Sequence, residues 1–118
     1  MSKTIQIRTI GDQLDVALIT LRGFLDSMSS YDLQRESDDL IQRGIYKFIV
    51  NFEQLEYLSS AGIETFHTIA QKLQSNEGSM VFVSVPEKIY KVLEIIGSTT
   101  FFRIKDSVRD AMKELETA

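Results

Sequence analysis

Few side chains in this sequence are suited to covalent or acid–base chemistry, and the most suggestive are two adjacent serines. They lie in the stretch EYLSSAGIETF, residues 56–66, between a hydrophobic run and a segment of helical periodicity. A serine hydroxyl at such a junction has two uses. It accepts a hydrogen bond from a free N–H of the first helical turn, and it lies where the positive end of the helix dipole stabilises an added phosphate. Gly62 argues for more than a cap, because glycine in a helix costs about 1 kcal/mol relative to alanine. Its missing side chain leaves room for another group to approach. On spacing alone, Ser59 and Ser60 fit both a cap and a phosphorylation switch.

Conventional catalysis has little material. His67 is the only histidine, and seven residues along one helix separate it from Ser60 by about 10 Å of rise, beyond hydrogen-bond reach. It reads as a residue at the edge of the apolar face. There is no cysteine, which excludes disulfides, thiolate catalysis and cysteine metal sites, and one histidine argues against zinc. The six glycines form neither a GxGxxG nor a Walker pattern, so no cofactor and no metal is expected. Asp32, Glu36, Asp38 and Asp39 read as a solvated helix face that also suits a basic partner. A net charge of −4 counts against nucleic acid and anionic lipid as partners. No apolar run is long enough to cross a bilayer, and the opening residues MSKTIQIR lack the apolar core of a signal peptide. A cytoplasmic protein is expected. With 118 residues, 43% hydrophobic and 25% charged, the chain is sized and composed for one globular domain.

The elements that would position the serines follow from hydrophobic periodicity. Residues 4–10, TIQIRTI, alternate as a strand does; Gly11-Asp12 marks a turn; residues 14–21, LDVALITL, complete a hairpin. Leu14, Val16 and Leu18 fall on one side of that strand and Ala17, Ile19 and Leu21 on the other, which predicts burial of both faces. Residues 22–30, RGFLDSMSS, read as a loop. Ser29 and Asp32 have capping-box spacing ahead of a helix from about Ser30 to Arg43, with Leu33, Leu40 and Ile41 inward and Gly44 at its end. Residues 46–52 predict a third strand. The helix after Ser59-Ser60 carries Ile63, Phe66, Ile69, Ala70 and Leu73 on one side. Residues 79–85 predict a fourth strand, and Pro86 suits a first helical position ahead of Ile89, Val92, Leu93 and Ile96, with Gly97 as terminator. Residues 101–104, FFRI, suit a short edge strand. Asp106 can cap a last helix with Val108, Ala111, Met112 and Leu115 inward. The order β-β-α-β-α-β-α-(β)-α predicts an α/β fold: a central mixed, mostly parallel sheet with an N-terminal hairpin and four main helices.

Four segments on this layout carry a family resemblance. Gly23-Phe24-Leu25-Asp26 looks like a G-x-L/I-D segment after the second strand. Ile49-Val50-Asn51-Phe52 lies where V-L-D-L is common. Tyr57-Leu58-Ser59-Ser60-Ala61-Gly62-Ile63 is similar to an M-D-S-[STA]-G-L phosphorylation loop. Leu93 to Gly97 followed by Phe101 to Ile104 resembles a closing L-x-x-x-G-L…F-x-I segment. Together they resemble the STAS domain, named for sulfate transporters and anti-sigma factor antagonists, over nearly the whole chain, so that residues 1–118 are expected to form one STAS domain. The resemblance implies that Ser60 is the phosphoacceptor, with Ser59 as the alternative, that Gly62 is the loop glycine, and that Asp26 is the acid approaching the loop. It implies a bacterial regulator whose unphosphorylated form binds an anti-sigma factor that is also a serine kinase, with a serine phosphatase as a further partner. The sequence departs from the pattern at Ser59 and Asn51, where the family has aspartates, and both changes are expected to remove negative charge near Ser60.

The expected contact surface combines the Ser60 loop, the segment from Phe24 to Met28 and the start of the first helix. Phe24, Met28, Tyr31, Tyr57 and Leu58 are its apolar anchors, each of which also fits ordinary packing beneath a loop. The first functional reading is therefore a protein-interaction switch of the anti-sigma factor antagonist type, not an enzyme. The alternative is a constitutive, non-phosphorylated STAS subunit that regulates a transporter or a signalling complex. A nucleotide-binding sensor lacks a Gly-rich phosphate loop, and an enzyme ranks last.

Overall fold

Each strand of the sheet lies beside the strand that precedes it in sequence. In the computed structural model, which describes residues 4–117, the elements are β1 (Ile5–Ile10), β2 (Val16–Leu25), α1 (Ser27–Gln42), β3 (Lys47–Leu58), α2 (Ser60–Gln74), β4 (Ser79–Val83), α3 (Glu87–Ile95), a 3₁₀ turn (Ser98–Thr100), β5 (Arg103–Lys105) and α4 (Val108–Thr117). The first three residues of the chain, part of the stretch read for a signal peptide, and the last residue lie outside that description. β1 pairs antiparallel with β2, and β2, β3, β4 and β5 pair in parallel in that order. The mixed, mostly parallel sheet with an N-terminal hairpin and four helices is thus the expected architecture.

Three successive crossovers to the next parallel strand place α1, α2 and α3 on the same face of the sheet, as crossovers of one common hand require. Their inner residues Leu33 and Leu40, Phe66 and Leu73, and Ile89 and Leu93 pack with Ala17, Ile19, Leu21, Phe48, Val50 and Phe82 in one core. Among the described elements α4 alone covers the other face, where Ala111 and Leu115 meet Val16, Leu18, Ile49, Val81 and Val83. β2 is therefore buried on both sides along its first half, as its alternation predicts. Leu14 does not join it: it has φ +53° in the hairpin turn, 60% exposed, with its N–H bonded to the Gly11 carbonyl.

Several boundaries move. β2 and β3 run four and six residues beyond the hydrophobic runs that announce them, to Leu25 and Leu58. The extra residues Arg22, Phe24, Glu53, Gln54, Glu56 and Tyr57 are exposed, because none of the described residues covers that side of the sheet there. α1 starts at Ser27, so almost nothing of the expected loop remains. Pro86 is the residue before α3 rather than its first, and Val92 and Ile96 are exposed while Ile89 and Leu93 hold the helix down. At α4 the cap is Ser107, whose Oγ accepts the Asp110 N–H, and not Asp106. Gly44 and Gly97 end α1 and α3 at φ +85° and +79°, where glycine carries no steric penalty.

Candidate functional site

β2 and β3 are paired to their last residues, Leu25 opposite Leu58, and each passes directly into a helix. The N-termini of α1 and α2 consequently stand side by side at one end of the sheet, and the Ser59 N–H donates to the Leu25 carbonyl at 2.9 Å. Eight residues of β3, from Asn51 to Leu58, match six of β2, from Thr20 to Leu25, with register shifts on the way. Such bulges twist a strand and re-aim its side chains; here they bring Tyr57, Leu58 and Ser59 level with Phe24, Leu25 and Asp26.

Asp26 is the N-cap of α1. Its Oδ1 accepts the N–H groups of Met28 at 3.1 Å and Ser29 at 3.0 Å. Ser29 Oγ accepts the Asp26 N–H at 2.9 Å, and its own proton has the Phe24 carbonyl at 2.9 Å and Asp26 Oδ1 at 3.0 Å within reach. This reciprocal capping box joins Asp26 to Ser29, not Ser29 to Asp32 as the spacing suggested; Asp32 pairs instead with Arg35 at 3.2 Å. The Ser29 N–H bond and then the Ser29 hydroxyl, with a lesser part from the Met28 N–H, hold the Asp26 carboxyl below its ordinary value against the opposing effect of desolvation.

Only one of the two serines is engaged in the helix cap. Ser59 is the N-cap of α2, and its Oγ accepts the Gly62 N–H at 3.1 Å. Ser60 is the first residue of the helix; it is exposed, and its hydroxyl makes no hydrogen bond among the described residues. Gly62 lies against Leu25 and Leu58: a Cβ there would come within 2.9 Å of Leu25 Cδ2 and of Leu58 Cδ1. The close approach that its presence suggested comes from this chain's own leucines.

Four of the expected anchors are at the surface. Phe24 and Tyr57 form a ring pair with centroids 5.8 Å apart, and Met28 and Tyr31 follow on the first turns of α1; all four are at least half exposed. Leu58 is buried, because the alternation along β3 turns it into the core beneath Gly62. Asn51 is also misplaced by sequence alone. It pairs with Thr20, five residues of β2 before the site, or about 17 Å at the rise of a strand, twice the screening length of about 8 Å at physiological salt. Only the departure at Ser59 alters charge beside Ser60. His67 is half-buried at the edge of the core as expected, and sequence gave no sign of its contacts: Nε2 lies 3.4 Å from Ser98 Oγ, and its ring packs on Phe101 and Phe102. Of the acidic face, Asp38 reaches Lys72 of α2 at 2.7 Å and Asp39 reaches Arg43 at 3.4 Å. Among the described residues no cluster of histidine and carboxylate side chains could hold a metal ion, and no helix is long and apolar enough to cross a membrane.

A four-stranded parallel run extended by one antiparallel hairpin strand, with helix N-termini meeting at a serine-bearing junction, defines the class of fold. The chain belongs to the STAS domain family, whose model matches residues 5–111. It is 27% identical over 108 residues to a protein of Bordetella bronchiseptica described as the anti-sigma factor antagonist BtrV, covering 91% of this chain and 93% of that one. The fold is that of an anti-sigma factor antagonist-like protein of Thermotoga maritima (TM-score 0.87, 19% identity, 97% and 96% of the two chains). It is also that of the anti-sigma factor antagonist SpoIIAA in its unphosphorylated form (TM-score 0.83, 17% identity, 97% of each chain).

Proposed function

We propose that this protein is a non-catalytic, cytoplasmic interaction switch that binds an anti-sigma factor with serine kinase activity, and that phosphate on Ser60 ends the binding. The observation that carries the reading is the split between the serines: Ser59 is committed to the cap of α2, while the neighbouring hydroxyl is exposed at the helix N-terminus. Phosphate placed there meets the positive end of the helix dipole. Beside it, Phe24, Tyr57, Met28 and Tyr31 offer the mixture of aromatic and thioether surface that interface cores favour. The likeness to BtrV supports an anti-sigma factor as the class of partner.

Ser59, standing where the family has an aspartate, favours a second reading, a constitutive STAS subunit that is never phosphorylated. One experiment separates the two. Wild type and Ser60→Asp are used to capture partners from the native cytoplasm, and the captured kinase is then incubated with the wild type and ATP. Binding lost in Ser60→Asp, with phosphate mapped to Ser60, is expected. Equal capture by both proteins, or phosphate on Ser59 alone, rejects the proposed switch.

A further inference from the structure

α4 covers its face of the sheet only in part. Beside it, over β1, β2 and β3, lies a groove of about 470 Å³ lined by Gln6, Ile7, Arg8, Leu18, Thr20, Arg22, Asn51 and Val108. Strand register arranges its polar groups. Gln6 pairs with Thr20 and Thr20 with Asn51, so an amide, a hydroxyl and a second amide form one row across three strands. Arg8 lies two residues beyond Gln6 on β1, level with Leu18, and Arg22 two beyond Thr20 on β2; the strands being antiparallel, the two arginines flank the row on opposite sides. The lining contains no carboxylate, in a chain whose net charge is −4. Among the described residues neither arginine has an acidic partner. Asn51 is oriented as a donor: its Oδ1 accepts the Glu53 N–H at 3.0 Å, which leaves its NH₂ group for a ligand.

The geometry points to a binding site for a small organic phosphate in this groove. Guanidinium groups bind phosphate through paired, charge-assisted N–H bonds, and Thr20 and the Asn51 NH₂ add neutral donors between them. The volume lies within the range of about 300–1,000 Å³ usual for small-molecule sites. It exceeds what a bare phosphate ion fills and leaves room for an organic body against Leu18 and Val108, the apolar side of the lining. The site is independent of the Ser60 switch, since Asn51 and Thr20 lie well back along the strands.

Phenyl phosphate is a suitable probe, with phenol as its neutral counterpart, titrated at constant ionic strength while backbone amide resonances are followed by NMR. Saturable shifts centred on Gln6, Arg8, Thr20, Arg22 and Asn51 are expected with phenyl phosphate and not with phenol. Arg8→Gln combined with Arg22→Gln should weaken the binding roughly tenfold or more, and Asn51→Asp, which places a carboxylate among the donors, should weaken it as well. Ser60→Ala should bind the probe like wild type. Arg8, Arg22 and Ser60 are exposed and Asn51 is half-buried, and a well-dispersed spectrum verifies that each variant is folded; if the double variant is not, Arg22→Gln alone carries the comparison. Absence of saturable shifts at these residues, equal shifts with phenol, or undiminished affinity in the folded arginine variant would overturn the assignment.

Discussion

Replacing Ser59 by alanine removes the acceptor for the Gly62 N–H, and loss of such a cap costs about 1 kcal/mol. Ser60→Ala removes a hydroxyl that satisfies nothing in the fold, so its stability should stay within about 0.5 kcal/mol of wild type, as for ordinary surface substitutions. Urea denaturation of the two variants side by side tests the division of roles; equal losses would contradict it. Asp26 supplies a pH test. Its folded-state pKa is lowered, chiefly by the Ser29 N–H and hydroxyl, so its contribution to stability is complete above the unfolded value, near 3.8, and is lost as the pH falls through the folded one. Asp26→Ala should therefore be less stable than wild type at neutral pH, and the gap should close as the pH falls below about 4. Denaturation midpoints measured from neutral to acid pH follow this directly, and a gap that does not depend on pH would show that the carboxylate is not the operative group. Ser29 went unrecognised in sequence as the partner of Asp26, because a serine three residues after an aspartate reverses the familiar order of a capping box.

At the scale of elements, α1 shows how composition can hide a face. Its inner surface is Ser30, Leu33, Ser37 and Leu40, a regular helical stripe, half of it hydroxylated. The leucines were legible and the serines were not, since polar residues are expected outside. The Ser37 hydroxyl is fully buried without a hydrogen-bond partner among the described residues. Ser37→Ala should stabilise the protein by about 1 kcal/mol, from the relief of a buried unsatisfied group and the better helix propensity of alanine. A lower denaturation midpoint in this variant would reveal a partner for that hydroxyl. The strands were legible wherever both faces are buried, as in Ala17 to Leu21 and Phe48 to Val50. Their far ends were not, because Arg22, Phe24, Gln54 and Glu56 lie on strands with a face open to water, and two register shifts in β3 break the alternation on which strand recognition depends. The site occupies those unreadable ends. Its residues could be named from motif and resemblance, but the pairing of Asp26 with Ser29, the burial of Leu58 and the remoteness of Asn51 needed the register.

For the molecule as a whole, phosphate on Ser60 should act at the surface without refolding the domain. Such a group carries about −1.5 to −2 charges at neutral pH, and Ser60 is exposed beside a helix N-terminus that partly offsets them. Ser60→Asp should accordingly melt within a few degrees of wild type while its affinity for the partner falls by orders of magnitude, since a surface matched to a neutral hydroxyl would have to desolvate a charge. Calorimetry paired with titration against the partner checks both halves; a variant that binds as tightly as wild type, or that fails to bind because it has unfolded, would refute the mechanism. The strand order has a consequence of another kind. Because every strand pairs with its predecessor, no pairing has to wait for a distant part of the chain. A polypeptide emerging from the ribosome N-terminus first can close the β1–β2 hairpin, lay α1 and β3 against it, and then add one βα unit at a time. Loop-closure entropy is met in short instalments, and the growing edge that would otherwise recruit another chain is covered by the next strand to be made. Synthesis and folding run in the same direction.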